Sequence, residues 1–434
     1  MIAMDPAAPS ARAWTANLER LKRQERPHRT GTLVRIVLRI ATAVYSGALA
    51  FAVRLPRRRM PARAEILVTG GFPSPNWILN HVLPLTRATR CARVVVVTTR
   101  RMPDVPGLYA IYPYGWAIRC IGETPARIVT FVVVSCRLRP DIIGGFHLLV
   151  NGLAAALLAR LVGGRSLYFC GGGPTEVLGG GAFGENALFS RLPAGDAVIE
   201  RRLLAATRTF DIMVTMGNRA AAFFAERNRL RPHVIPGGID SARFRAPRTT
   251  AADLILIGRL VAVKQVDVFL HVVRQVRQRR PGVRARIVGD GPLRADLERL
   301  AGELGLTDAV VFTGQSEHVE EELRRARIFV LTSATEGVSL ALLEAMMSGL
   351  PAVVPDVGDL RDLVQDGANG FLVEGPTVER FADRIVTMLE DPTLWERLAG
   401  ASRRTALTHD LGAVAARWDA ILASLAAAGE GGRR

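Results

Sequence analysis

Two doubly wound, parallel-sheet α/β domains are what this sequence predicts, and three observations carry the expectation. From residue 64 onward, short β-branched runs of strand length alternate with segments of helical period. Several of those runs stop at glycine turns, as strands that meet a ligand at their carboxyl ends do. The chain has 434 residues, 49% of them hydrophobic, enough for about two or three cores of ordinary size. A single small module is excluded.

Residues 1–63 read as a basic N-terminal arm. They hold thirteen Lys/Arg against three Asp/Glu, which is +10 of the net charge of +17. Residues 33–55 are an apolar segment with Arg35 and Arg39 one turn apart and Arg57, Arg58 and Arg59 just beyond it. Its uncharged run, residues 40–53, is 14 residues long, shorter than the roughly 20 that span a bilayer. The preferred reading is an amphipathic helix lying on an anionic membrane surface. A short spanning helix with snorkelling arginines and an ordinary core helix stay open. On the preferred reading, deleting residues 1–60 leaves a soluble enzyme. No interleaved aromatics or reading motif accompany the basic residues, so nucleic acid is not an expected partner. The four cysteines show no C-x-x-C pair. Inert thiols in a reducing compartment are expected, with no metal site.

Residues 64–247 form the expected first domain, with strands at 66–69, 94–98, 128–134, 166–170 and 211–215. The first ends in Gly70-Gly71-Phe72-Pro73. Gly71 lets a ligand approach the backbone, or the pair is a plain tight turn. Ile142 and Ile143 lead into Gly144-Gly145-Phe146-His147 and then a helical run at 151–161. His147 therefore sits at a strand end, as a site residue or a satisfied structural one. Residues 171–186, GGGPTEVLGGGAFGEN, carry six glycines in their first eleven positions and read as a mobile loop.

The second domain, residues 248–408, repeats the pattern. A strand at 254–257 ends in Gly258-Arg259-Leu260 with Lys264 following, and another precedes Gly289-Asp290-Gly291-Pro292. The most informative stretch is 327–355, RIFVLTSATEGVSLALLEAMMSGLPAVVP. It reads strand, polar loop, helix, glycine stop, strand. Glu336 lies in the loop and Glu344 on the helix, and the amides of Gly337, Val338, Ser339 and Leu340 open that helix. An anion cradle between two hydroxyl-binding carboxylates suits a sugar joined to a diphosphate.

The E-x7-E segment resembles that of family 4 retaining glycosyltransferases, which have the GT-B fold. Val234-Ile235-Pro236-Gly237-Gly238-Ile239-Asp240 also resembles the segment that ends that family's first domain. The resemblance is strong over residues 234–390 and weaker, but in register, over 64–161. It implies two Rossmann-like domains facing across a cleft, with Glu336 at the donor sugar and Glu344 on the nucleotide ribose. It further implies His147 near the donor sugar, and a helix at 409–428 returning to the first domain through Trp418 and Ile421. Gly258, Gly289 and Asp290 would line the donor site. Arg259 and Lys264 would stabilise the charge left on the phosphate oxygens.

The implied reaction is metal-independent transfer, with retention, of a sugar from a UDP- or GDP-linked donor to a lipid-linked or cell-envelope glycan. No cofactor is implied, and no D-x-D motif is present. A cytoplasmic protein peripheral on the membrane follows. The rivals are a sugar-nucleotide epimerase on the same fold and an inactive basic scaffold. The chain departs from the family at Cys170-Gly171, where many members have His-Gly, and at Gly358-Asp359-Leu360-Arg361-Asp362, where they have G-G-x-x-E.

Overall fold

The structure is a computed structural model. It describes residues 31–431 except 72–74, 183–185, 187, 190, 191, 193, 194, 229, 230 and 247–250. The described chain divides into two compact units, one of residues 31–238 with 411–431 and the other of residues 239–410.

The first unit opens with helix α1 (Gly31–Ala52) and is built on a seven-stranded sheet. In chain order the strands are β1 (Ala64–Thr69), β2 (Cys91–Val97), β3 (Leu108–Ile111), β4 (Ile142–Phe146), β5 (Arg165–Cys170), β6 (Ile212–Thr215) and β7 (His233–Val234). Their order across the sheet is β3-β2-β1-β4-β5-β6-β7, and every pairing is parallel. The direction in which successive strands are added reverses between β1 and β4, which makes that junction the crevice where such sheets take ligands.

The run at 128–134, expected as a strand, lies instead inside a helix, Glu123–Leu138. Its buried residues Arg127, Phe131, Val134 and Ser135 recur at helical spacing. The unforeseen β3 supplies the reason: it is the edge strand, and this helix belongs to the crossover that carries the chain from β3 back past β2 and β1 to a parallel β4. Local β-branched content yielded to topology.

Helix α1 has 22 residues, longer than the uncharged run suggested. By length and composition alone it could cross a membrane. Leu38, Thr42, Leu49 and Ala52 are buried in one stripe, with Leu38 and Leu49 in the same cluster as Leu149, Ala156, Ile199 and Leu203. Arg39 Nε donates to Asp196 at 2.8 Å, and Tyr45 Oη to the Leu153 carbonyl at 2.9 Å. Arg57 pairs with Asp211, and Arg58 donates to the Pro140 carbonyl at 2.7 Å. The expectation that residues 1–60 are dispensable is therefore corrected. Removing them would strip a buried stripe worth about 1.5–3 kcal/mol per large side chain.

The opposite face of the sheet is covered by Pro75–Arg87 and by the last helix, Leu411–Gly431, whose Trp418 and Ile421 lie in the cluster with Ile78, Val82 and Leu85. His81 is buried there. Its Nδ1 donates to the Trp77 carbonyl at 2.7 Å, and its Nε2 lies 3.0 Å from Met216 Sδ. Burial, with a smaller contribution from the nearby His147, pulls its pKa down to about 4. The unfolded chain then takes the proton first, near pH 6.5, so stability is full above that value and is lost as pH falls toward 4. At about 1.4 kcal/mol per unit, the loss is roughly 3 kcal/mol. Urea unfolding at pH 7.5 and pH 4.5 should show a larger acid destabilisation for the native protein than for His81→Gln. Equal destabilisation of the two would refute the assignment.

The second unit has six strands: β8 (Leu254–Ile257), β9 (Ala285–Val288), β10 (Val310–Gly314), β11 (Ile328–Val330), β12 (Ala352–Pro355) and β13 (Gly370–Val373). Their order is β10-β9-β8-β11-β12-β13, all parallel. Ile239 and Phe244 are buried in this unit's core. The reversal here falls between β8 and β11. The doubly wound architecture expected from the alternation is thus found twice.

Candidate active site

The loops leaving β8 and β11 flank the crevice of the second sheet, and side chains tie them together. Ala334 N donates to the Val263 carbonyl at 2.9 Å, and Thr332 Oγ1 to the Gln265 carbonyl at 2.8 Å. Lys264 Nζ pairs with Glu336 Oε1 across the gap. Ser333 Oγ donates to the same oxygen at 2.7 Å. Among the described residues both contacts fall on Oε1, which leaves Oε2 able to accept from a ligand hydroxyl. Arg259, at the turn after β8, is exposed and makes no side-chain bond to any described residue.

Two glycines bring these turns into contact. Gly289 has φ 141°, and a Cβ there would stand 1.9 Å from the Gly258 carbonyl oxygen. Gly358 has φ 57°, and a Cβ there would stand 1.6 Å from the Glu336 carbonyl oxygen. Asp290 is exposed, and its Oδ1 accepts from Gly291 N at 2.7 Å.

Helix Leu340–Met347 follows directly, N-capped by Ser339, whose hydroxyl accepts from Leu342 N at 3.3 Å. Among the described residues, the amides of Gly337, Val338, Ser339 and Leu340 have no recorded main-chain acceptor. Open amides and the positive end of a helix favour an anion. Glu344 lies one turn into this helix and is half-buried.

On the first sheet, the crevice is flanked by the turn after β1 and by the chain leaving β4. Gly71 is exposed, and a Cβ there would meet nothing within 4 Å. The described protein therefore does not itself demand glycine at that position. Phe72 and Pro73 lie outside the described residues. His147 follows β4 with φ 63°, a strained setting for a residue with a side chain, and its side chain is 26% exposed. Nδ1 lies 3.0 Å from Glu176 Oε1, and the Trp77 ring stacks on the imidazole at 6.1 Å.

Glu176 was missed in the sequence. The glycine-rich stretch that contains it, read as mobile, is packed where described: Glu176, Val177, Gly180, Gly181 and Ala182 are all buried. The available signal was a lone acid set among six glycines. A cavity of about 570 Å³ lined by Asp366, Glu374, Arg380 and Arg384 includes none of these site residues.

The fold class these two units define is GT-B. Residues 251–391, about a third of the chain, match the family model described as Glycosyl transferases group 1. An alpha-D-kanosaminyltransferase of Streptomyces kanamyceticus is 33% identical over 34% of this chain and 38% of its own length. A GDP-mannose-dependent alpha-(1-6)-phosphatidylinositol monomannoside mannosyltransferase of Mycobacterium tuberculosis is 28% identical over 63% of this chain and 73% of its own length. Anabaena Alr3699/HepE, solved in complex with UDP and glucose, superimposes with a TM-score of 0.64 at 17% identity, covering 83% of this chain and 100% of that one. The chain spans 40% or less of the length of the first three curated relatives it matches.

Proposed function

We propose that this protein is a glycosyltransferase that moves a sugar from a nucleotide diphosphate sugar, UDP- or GDP-linked, to a lipid-linked or cell-envelope glycan acceptor. The observation that carries the reading is the Lys264–Glu336 pair at the β8–β11 crevice. It is followed at once by the Ser339-capped helix bearing Glu344, all inside the segment that matches Glycosyl transferases group 1.

In this reading the amides of residues 337–340 receive the diphosphate, and Glu344 accepts from the ribose hydroxyls. Glu336 accepts from a hydroxyl of the donor sugar. Arg259 and Lys264 stabilise the negative charge that builds on the phosphate as the glycosidic bond breaks, a role that needs no metal ion. The departing phosphate takes the acceptor's proton on the same face, which retains the anomeric configuration. His147 meets a sugar hydroxyl. The name of the GDP-mannose-dependent phosphatidylinositol monomannoside mannosyltransferase supports donor and acceptor classes of this kind. Incubation with a panel of UDP- and GDP-sugars and lipid-linked acceptors, with product configuration read by NMR, tests it. A product of inverted configuration overturns retention, and sugar-nucleotide interconversion without an acceptor points to an epimerase.

The proposal also puts the outer face of α1 on the cytoplasmic face of an anionic membrane. Leu33, Ile36, Ile40, Val44 and Phe51 form one exposed stripe, with Ile40 at 60% and Val44 at 68% exposure. That stripe faces away from the residues docked on the unit, so it suits the headgroup boundary. The double variant Ile40→Glu/Val44→Glu should stop co-sedimentation with anionic vesicles and leave thermal unfolding unchanged. Retention of the native protein through a high-salt wash, with release only by detergent, would instead indicate a spanning helix.

A further inference from the structure

We infer that Glu176 is the positioning residue of His147: its carboxylate fixes the imidazole as the Nδ1–H tautomer and so presents Nε2 to substrate as an acceptor. The inference rests on the proposed role of His147 and deepens it.

Glu176 is 4% exposed, so its charge must be met by neighbours. Four groups meet it. His147 Nδ1 lies 3.0 Å from Oε1, and Gly172 N donates to Oε1 at 2.6 Å. Tyr168 Oη donates to Oε2 at 2.9 Å, and Leu148 N donates to the same oxygen. Burial alone would push the carboxyl pKa up. The hydrogen bonds donated by His147 and by the amides of Leu148 and Gly172 oppose that, and the pKa lies below the ordinary value. An ionised carboxylate only accepts, so the proton of a neutral imidazole stands on Nδ1, and Nε2 keeps its lone pair.

The backbone around the pair is held in a conformation it would not take unaided. His147 has φ 63° and Val150 φ 70°, left-handed settings that persist in residues with side chains only where the surroundings over-determine them. They do so here from both sides. His147 N donates to the Phe169 carbonyl at 2.9 Å, and Gly152 N to the His147 carbonyl at 2.9 Å. Asn151 Nδ2 donates to the Phe146 carbonyl at 2.7 Å. Asn151 Oδ1 accepts from the buried Arg127 at 2.9 Å.

The glycines beside Glu176 have a matching role. A Cβ on Gly171 would stand 2.8 Å from His147 Cε1, so that residue lets the loop close flat against the ring. With the His147 side chain 26% exposed and that of Glu176 at 5%, only the histidine can touch substrate. A purely structural histidine would have no need of backbone strain, a dedicated buried carboxylate and a partly exposed side chain together.

The test is Glu176→Gln, whose amide can donate to Nδ1 and thereby favour the Nε2–H tautomer. In protein labelled with ¹⁵N-histidine, the native His147 signals should report Nδ1–H, and those of Glu176→Gln should report Nε2–H. Turnover should fall at least tenfold with donor KM little changed. Glu176→Asp keeps the charge and should retain the Nδ1–H tautomer with intermediate turnover. An Nε2–H tautomer in the native protein, or an unchanged tautomer in Glu176→Gln, overturns the inference. Should Glu176→Gln not fold, the native and Glu176→Asp spectra decide. The tautomer readout needs no activity, so it stands apart from failure of the transferase reading, which would appear as no turnover on any donor.

Discussion

Lys264→Ala should lower the rate of sugar transfer by about 100-fold or more, a typical loss when a fixed cation aimed at developing charge is removed. Two effects add here. The leaving diphosphate loses a positive neighbour, and Glu336, 11% exposed along its side chain, loses the partner that fixes its carboxylate. Among the described residues, Ser333 would then be the one remaining partner of that carboxylate. Arg259→Ala should cost turnover on a similar scale but leave Glu336 in place, because Arg259 does not bond to it. A double-mutant cycle of Lys264→Ala with Glu336→Gln separates the two effects. Strong non-additivity is expected, since the residues act as a pair. Near-normal turnover in both single cation variants would refute the leaving-group role.

Gly358→Ala should also reduce turnover by on the order of 100-fold, although it alters no group proposed to touch substrate. The new methyl would need the space of the Glu336 carbonyl oxygen, 1.6 Å away, so one of the two loops must move. Displacing a positioned group by about 1 Å can cost that much. Gly349→Ala is the control. Its φ of 79° brings the same left-handed penalty, yet its Cβ would meet nothing within 4 Å. That variant should lose about 1–2 kcal/mol of stability and keep its turnover. Equal activity loss in both would assign the effect to backbone strain rather than to Glu336.

The alternating pattern was legible because parallel strands buried on both faces are continuous apolar runs, as at Leu254–Ile257 and Ala352–Pro355. The helix at Glu123–Leu138 was not, because the valines at 132–134 look the same locally in either element. Only the sheet order, with β3 at one edge and β4 beside β1, shows that the chain must cross back there. Strand ends marked by glycine drew attention to Gly258, Gly289 and His147, since turn chemistry is written in residue type. The Lys264–Glu336 pair joins residues 72 positions apart and His147–Glu176 residues 29 apart. Neither partnership has a sequence spacing that betrays it. The glycine-rich stretch misled for the same reason: composition shows conformational freedom, and three of the four partners of Glu176 that remove it, His147, Leu148 and Tyr168, come from other segments. The apolar segment read at 33–55 is a helix over nearly the same residues, Gly31–Ala52, but the partners of its arginines were not legible. In the fold, Arg39 is paired with Asp196.

The central claim is that the carboxyl edge of the second sheet binds a nucleotide diphosphate sugar through Glu344 and the open amides beside it. Isothermal titration of the full-length protein with UDP- and GDP-sugars, with and without EDTA, tests it most directly, with Glu344→Gln run in parallel. One nucleotide class should bind at one site per chain regardless of chelator. Glu344→Gln should weaken that binding by about 1–3 kcal/mol, the range for a hydrogen bond to a charged group made neutral. Absence of binding by every nucleotide sugar, or identical affinities for the native protein and Glu344→Gln, would contradict the account.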